Sequence, residues 1–200
     1  MALSWVSICN MALRRIGKGS LITSLAGTDK ESVACNDAYE AARDAVLEDF
    51  DWKCASYRKA LTQDSSTPAF GWDYQYSLPT TPWCLVVREI YPEEADYVVE
   101  GRKLLTDQDN DDEDLCIRYT KRVTDPTELS NLCAKAIAWR IAAEISYHIT
   151  QSNSMVDQIM KEYYLILEEA KRSNQEYDKN HDEDAPSSDR GNVDWINAGR

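Results

Sequence analysis

"YVVEGRKLLTDQDNDDEDLCIRYTKRV", residues 97–123, holds the choice on which the fold turns. Its middle, residues 107–114, is nearly continuous carboxylate. Either those acids form a calcium loop between helices, or they keep a connection between strands in water. An EF-hand loop takes oxygen ligands at positions 1, 3 and 5, a glycine at 6 and a bidentate glutamate at 12. Counted from Asp107, the first three fall on Asp107, Asp109 and Asp111. Asp112 then stands where the turn needs glycine, and Arg118 where the site needs its last carboxylate. The flanks decide between the two. "YVVEG" and "LCIRYT" are β-branched and alternate, which is the period of a strand. The spacing therefore predicts a hairpin loop held in water by charges that repel one another, with no metal bound.

The same texture extends backwards. "KCASYRKALTQ", "WDYQYSLP", "WCLVVREIYP" and "DYVVEG" alternate, and "SSTPAFG" and the prolines at 68, 79, 82 and 92 break them apart. Residues 53–123 are expected to form a small antiparallel sheet.

Helical spacing brackets this region. In "ALSWVSICNMALRRIG", Leu3, Val6, Met11, Leu13 and Ile16 make a stripe that Trp5 and Ile8 widen, and Gly17 and Gly19 end it. Thr28 and Glu31 have capping-box spacing before a second helix, with Val33, Cys35, Ala38, Ala42, Ala45, Val46 and Phe50 as its stripe. Beyond the strands, Thr124 or Asp125 is the expected cap of a helix with Pro126 in its first turn. That helix, to residue 150, is apolar over a wide arc that includes Trp139, so it is expected to be the most buried. Ser154 is the expected cap of a fourth helix, with Val156, Ile159, Met160, Tyr163, Tyr164 and Leu167 as its stripe.

The predicted class is α+β, mainly α: a four-helix bundle interrupted by a small antiparallel β-rich insertion, with an extended C-terminal tail. The bundle takes residues 1–52 and 124–177, the insertion 53–123, and the arm 178–200. The arm is acidic and turn-rich, yet Val193, Trp195 and Ile196 wait near its end. Aromatic anchors of that kind dominate interface energies, so these three are the candidate partner-binding residues. The other outcome is an arm folded back on its own domain.

A net charge of −13 over 200 residues argues against a nucleic-acid-binding surface, which would be basic. The cysteines at 9, 35, 54, 84, 116 and 133 show no C-x-x-C pair, so zinc is not expected. Without a recognisable leader, free thiols in a reducing cytoplasm are expected. No apolar run reaches the length of a membrane span. No G-x-S-x-G, P-loop or G-x-G-x-x-G is present, so no catalytic residues and no cofactor are assigned. His148 is expected to be a partly buried structural histidine, and His181 a solvated one. Glu168 and Glu169 belong to a charged helix face. Arg14, Arg15 and Lys18 suit the first helix's C-terminal dipole, or an acidic partner.

Several phrases together resemble one family. They are "ICNMALRRIGKGSLITSLAGTDKESVACNDAYEAARDAVLEDFDW", "YQYSLPTTPWCLVVREIY", "YVVEGRKLLTD…LCIRYTKRV" and "LCAKAIAWRIAAEISYHIT". With their N-x-A-L-x-x-I-G opening and EGR-x-L-x-T turn, residues 5–175 are similar to the phage head-to-tail adaptor (connector) family, whose short-tailed-phage members are called tail tubular protein A. The run at 107–114 is longer and more charged than usual for that family, and the final tail is not covered well.

The resemblance implies a virion structural protein without catalysis, made in the host bacterial cytoplasm and placed at the head-tail junction. It implies a twelvefold ring of this chain, a portal protein on one side and a downstream tail (nozzle or tube) protein on the other. DNA would cross the lumen without specific binding, because negative walls do not hold phosphates. A competing expectation from composition is a small acidic cytoplasmic protein that binds or inhibits a basic partner, as a DNA mimic does.

Overall fold

A computed structural model describes residues 3–19, 21–109 and 114–183, with the side chains of the last helix described as far as residue 173. The first helix, α1 (Trp5–Arg15), starts at a cap the apolar pattern did not single out. Ser4 Oγ accepts from Ser7 N–H at 3.1 Å, and Ser7 Oγ accepts from Ser4 N–H at 2.9 Å. Ile8, Cys9, Ala12 and Leu13 face the core. At the far end, Gly17 N–H reaches Arg14 O at 3.1 Å and Lys18 N–H reaches Leu13 O at 3.0 Å. This closure needs a left-handed residue, and Gly17 has φ 77°.

The link to the next helix is held from α1. Asn10 donates from Nδ2 to Ile22 O at 2.9 Å and accepts from Ile22 N–H at 2.8 Å. Helix α2 (Lys30–Asp49) is capped by Asp29, not Thr28. The Asp29 carboxylate accepts from both the N–H and the hydroxyl of Ser32, at 3.0 and 2.9 Å, an ionised acceptor that outweighs a hydroxyl one residue earlier. The buried stripe shifts accordingly: Ala34, Cys35, Ala42, Val46 and Leu47 are inside, while Val33 is exposed.

The helix expected from residue 126 is split. Asp125, of the two cap candidates, caps only a 3₁₀ turn at Pro126–Glu128. Leu129 and Ser130 then extend, and Ser130 caps α3 (Asn131–Thr150), accepting from Cys133 N–H at 3.2 Å. Gln151, at φ 55°, ends it. Ser152, rather than Ser154, then accepts from Met155 N–H at 3.4 Å ahead of α4 (Asn153–Glu183). α4 runs into the stretch read as an extended arm. "SNQEYDKNHDE" contains neither glycine nor proline, so no residue there stops a helix.

α3 is the hub, and α1, α2 and α4 all pack on it. Its inward residues include Ile137, Ile141 and Ile145, each at most 3% exposed. Trp139 is not among them. It is half-buried at the rim, with the Arg15 guanidinium 4.6 Å from its ring centre. Tyr164 is exposed, and Tyr163, Ile159 and Leu167 carry the α4 contact.

Between α2 and α3 run six strands: β1 (Ser56–Ala60), β2 (Tyr74–Ser77), β3 (Cys84–Tyr91), β4 (Tyr97–Glu100), β5 (Lys103–Thr106) and β6 (Cys116–Lys121). They form two three-stranded antiparallel sheets rather than one, in the orders β1-β6-β3 and β2-β5-β4. β4 and β5 form a hairpin over Gly101, at φ 58°. The acidic stretch is therefore not a hairpin loop. It carries the chain from β5 in one sheet to β6 in the other, because β5 is already flanked by β2 and β4. Among the described residues the chain is a mixed α and β structure with four helices and two small antiparallel sheets.

Two apolar clusters result. One lies among the helices; the other takes Tyr76 and Leu104 from one sheet and Cys84, Ile90, Ile117 and Tyr119 from the other. Arg102, just after Gly101, gathers the segment before β3 by donating to Cys84 O at 2.6 Å and Pro79 O at 2.7 Å. Its guanidinium also lies 4.1 Å from the centre of the Trp83 ring, and that of Arg122 lies 5.3 Å from the same ring. Thr106 closes the hairpin through its hydroxyl, which donates to Asp96 O at 2.7 Å.

Candidate functional site

A cleft of about 430 Å³ lies against the β1-β6-β3 sheet and is lined by Arg58, Arg88, Arg118, Glu89, Tyr91 and Tyr97 among others. Strand register explains the charges. Arg58 on β1 lies opposite Arg118 on β6, which lies opposite Glu89 on β3. The two like charges in this row would repel. Arg118 is relieved by two carboxylates: it reaches Glu89 at 2.7 and 2.5 Å and Asp51 at 2.7 Å. That hydrogen bonding, with the field of Arg118 and Arg58, holds the Glu89 carboxyl below the ordinary range.

Arg88 points the other way, into the end of α2. Its Nη2 donates to Leu47 O, Glu48 O and Phe50 O at 3.2, 3.0 and 3.1 Å, and its Nε to Thr120 Oγ1 at 2.8 Å. Helix α2 has no basic residue in its last turn, and this guanidinium from a distant strand supplies the missing partner for its carbonyls. Of the three arginines, Arg58 alone carries no hydrogen bond or ion pair among the described residues, and it is exposed. Of the charged groups in this row, Arg118 and Glu89 are committed to one another and Arg88 to the end of α2 and Thr120, which leaves Arg58 facing the cleft. Periodicity missed it, because alternation assigns a face to each residue and says nothing of which strand lies alongside.

A second feature is the loop before β2. Phe70 is 89% exposed there, beside Gly71 at φ 87°. Its neighbours Pro68, Trp72 and Lys103 line a cleft of about 310 Å³. Phe70 is the most exposed of the large apolar side chains among the described residues. The breaker cluster "SSTPAFG" located the loop but not the use of its aromatic.

The residues singled out by sequence are scattered. Val193, Trp195 and Ile196 lie outside the described residues, as does part of the acidic stretch, 110–113. Of the acids that are described, Asp107 accepts from Asp73 N–H at 3.0 Å and Asp109 from the Tyr74 hydroxyl at 3.4 Å. Among the described residues no cluster of three or more His, Cys, Asp or Glu side chains is placed to hold a metal ion. His148 is exposed rather than partly buried, in a shallow hollow with Asp37 and Glu144, because Ile145 and Ile149 occupy the inward positions of that turn. His181 lies on α4. Lys18 pairs with Glu31 at 3.5 Å, and Glu168 with Lys171 at 2.7 Å. All six cysteines are free. Among the described residues no helix is long and apolar enough to cross a membrane.

No family model matches this chain, and no curated protein matches it.

Proposed function

We propose that the protein is a non-catalytic structural protein of a phage particle, an adaptor that forms a ring between portal and tail. In this reading the four helices act as one bundle interrupted by the β-rich part, and residues 178–200 act as an arm. The observation that carries the proposal is the order of elements: two helices, six strands, two helices. This is the order that the resemblance implies.

The phrases that suggested the family support it in a particular way, because each is a tie of the fold. Asn10, Leu13 and Gly17 of N-x-A-L-x-x-I-G dock the next segment, fill the core and close α1. Gly101, Arg102, Leu104 and Thr106 of EGR-x-L-x-T turn the hairpin, clamp the segment before β3, fill the second cluster and fasten the hairpin. They favour a shared architecture. The exposed Phe70 loop and the net charge of −13 favour a protein that works by contact. A ring walled by carboxylates lets phosphate slide past.

The test is to mix the purified full chain with purified portal rings and measure mass by analytical ultracentrifugation. Co-sedimentation at one adaptor per portal subunit is expected. A protein that ignores portal rings, and instead forms a stoichiometric complex with a basic protein, is the acidic inhibitor of the competing expectation.

A further inference from the structure

Each sheet ends in strands that lack a second neighbour: β1 and β3 flank β6, and β2 and β4 flank β5. Two of these four edges are engaged. Beside β2, Gln63 bridges to Tyr76, and Asp64 N–H donates to Gln75 O at 2.9 Å. On β3, Cys84 O accepts from Arg102 at 2.6 Å, and Arg88 holds the strand against the end of α2. β1 and β4 are different. Among the described residues β1 pairs only with β6 and β4 only with β5. Each therefore presents an outer row of backbone N–H and C=O groups with no ladder partner. Residues 57–60 of β1 are all exposed, as are Tyr97, Val99 and Glu100 of β4.

The two open edges carry opposite charge. β1 has Arg58 and Lys59 and no acid, whereas β4 and the turn before it, residues 93–100, have Glu93, Glu94, Asp96 and Glu100 and no base. Charges on an edge strand normally keep it from pairing. Here they forbid only the pairing of like with like. β1 on β1 would oppose two cations, and β4 on β4 would oppose carboxylates, but β1 beside β4 is attractive.

We propose that β1 of one copy of this chain adds to β4 of the next, open edge to open edge, so that successive copies join head to tail. Register favours a carboxylate beside β1. The row Arg58–Arg118–Glu89 reads plus, plus, minus across the sheet, and an acid from β4 next to Arg58 would complete it at the open end. The seam would also draw Tyr57, Tyr97 and Val99 out of water, each about two-fifths exposed in the single chain. Because the two edges are different pieces of surface, the contact repeats instead of stopping at a two-fold dimer, and it closes as a ring or continues as a filament. It supplies the join between copies that an adaptor ring requires, and in that respect rests on the adaptor reading. It is measured without portal, so failure here leaves the portal test to decide that reading.

The experiment uses the full chain alone, followed by sedimentation velocity over a concentration series. The wild-type mass is expected to rise past that of one chain, 22.8 kDa. Two double variants are compared with it, Arg58→Glu with Lys59→Glu, and Asp96→Lys with Glu100→Lys. Each is expected to weaken association about ten-fold or more. The first moves the net charge of −13 further from zero and the second moves it closer, so general repulsion would make them differ in sign. Mixing the two variants restores unlike edges and is expected to restore association. In the wild-type chain, carbodiimide is expected to join the Lys59 amine to a carboxylate of residues 93–100, and isotope-labelled chain mixed with unlabelled chain shows that the link runs between copies. That link tests the contact even where a variant fails to fold. The proposal is overturned if the wild-type chain stays a monomer at every concentration, if the β4 reversal strengthens association, if the mixture associates no better than its components, or if Lys59 links between copies only to carboxylates elsewhere.

Discussion

Tyr163, on α4, donates its phenolic hydrogen to Oδ2 of Asp49, the last residue of α2, at 2.6 Å. The ring is fully buried while the carboxylate stands at the surface, so one side chain joins the core to the outer end of another helix. Burial, and then the bonded carboxylate, push the phenol well above its usual range, and it stays protonated as the donor.

Removing the hydroxyl separates the two roles. Tyr163→Phe is expected to cost about 1–2 kcal/mol, the loss of one charge-assisted hydrogen bond whose acceptor can still find water. Tyr163→Ala is expected to cost about 3–5 kcal/mol, because it also opens a cavity. Urea unfolding of both variants checks the ordering, and equal losses would mean that the ring contributes nothing to the core.

Arg88 should matter more than a strand arginine ordinarily does. Arg88→Ala strips partners from three carbonyls at the end of α2 and from Thr120, with an expected loss of about 2–3 kcal/mol. Arg88→Lys should recover only part of it, since an ammonium lacks the planar fork that reaches both elements. Hydrogen exchange should show the lost protection in the last turn of α2. If α2 keeps its protection in the alanine variant, the guanidinium is not its cap.

Trp139 tests where the rim of α3 lies. Sequence placed it in the wide apolar arc of the most buried helix. Half-buried under Arg15, Trp139→Ala should cost about 1–3 kcal/mol. Ile137→Ala, at a fully buried position, should cost about 2–5 kcal/mol. Chemical denaturation compares the two, and a larger loss at Trp139 would return it to the core.

Glu89 gives a pH dependence with a definite sign. Its pKa is depressed in the folded chain, first by the hydrogen bond from Arg118. Its contribution is therefore present above the unfolded glutamate value of about 4.3 and is lost as pH falls through the lower folded value. The side chain is 58% exposed, so screening keeps the gap between wild type and Glu89→Gln under about 1 kcal/mol at neutral pH. Melting temperatures from pH 3 to 8 should show that gap closing below about pH 4. A gap that persists at pH 3 would assign it to packing instead of charge.

For the arm, deletion of residues 190–200 or Trp195→Ala should leave the circular dichroism unchanged and weaken attachment to portal rings. With α4 running to Glu183, the 17 residues 184–200 can reach at most roughly 55 Å at about 3.3 Å per residue, and repeating even a modest contact around a ring raises avidity. Unchanged attachment in sedimentation would remove the arm's role while leaving the adaptor reading to its own test.

All six strands and all four helices were legible as segments, because apolar period is written locally. What the period does not encode is partnership. β5 and β6 flank one acidic run and looked like a hairpin, yet each pairs within a different sheet. The caps went astray by one residue at α2, where Asp29 stands beside Thr28, and by five at α3, where Asp125 caps only the 3₁₀ turn and Ser130 caps the helix. Trp139 misled by bulk: a large apolar residue suggests the core even when its helix face points to the rim. Arg88 was invisible for the opposite reason. A cation in a strand suggests solvent, and its carbonyl partners lie some forty positions earlier.

The separateness of the two apolar clusters bears on how the molecule comes apart. What joins the helices to the sheets is largely directional: Arg88 on the α2 carbonyls, Arg118 on Asp51, and Arg122 on Asp44 at 2.6 Å. Such ties are more salt-sensitive than a shared apolar core, so the two clusters are expected to open as two cooperative units. Amides of β5 should exchange at a lower opening free energy than those in the middle of α3. Added salt should widen the interval between the two openings, loosening the sheets while the helices hold.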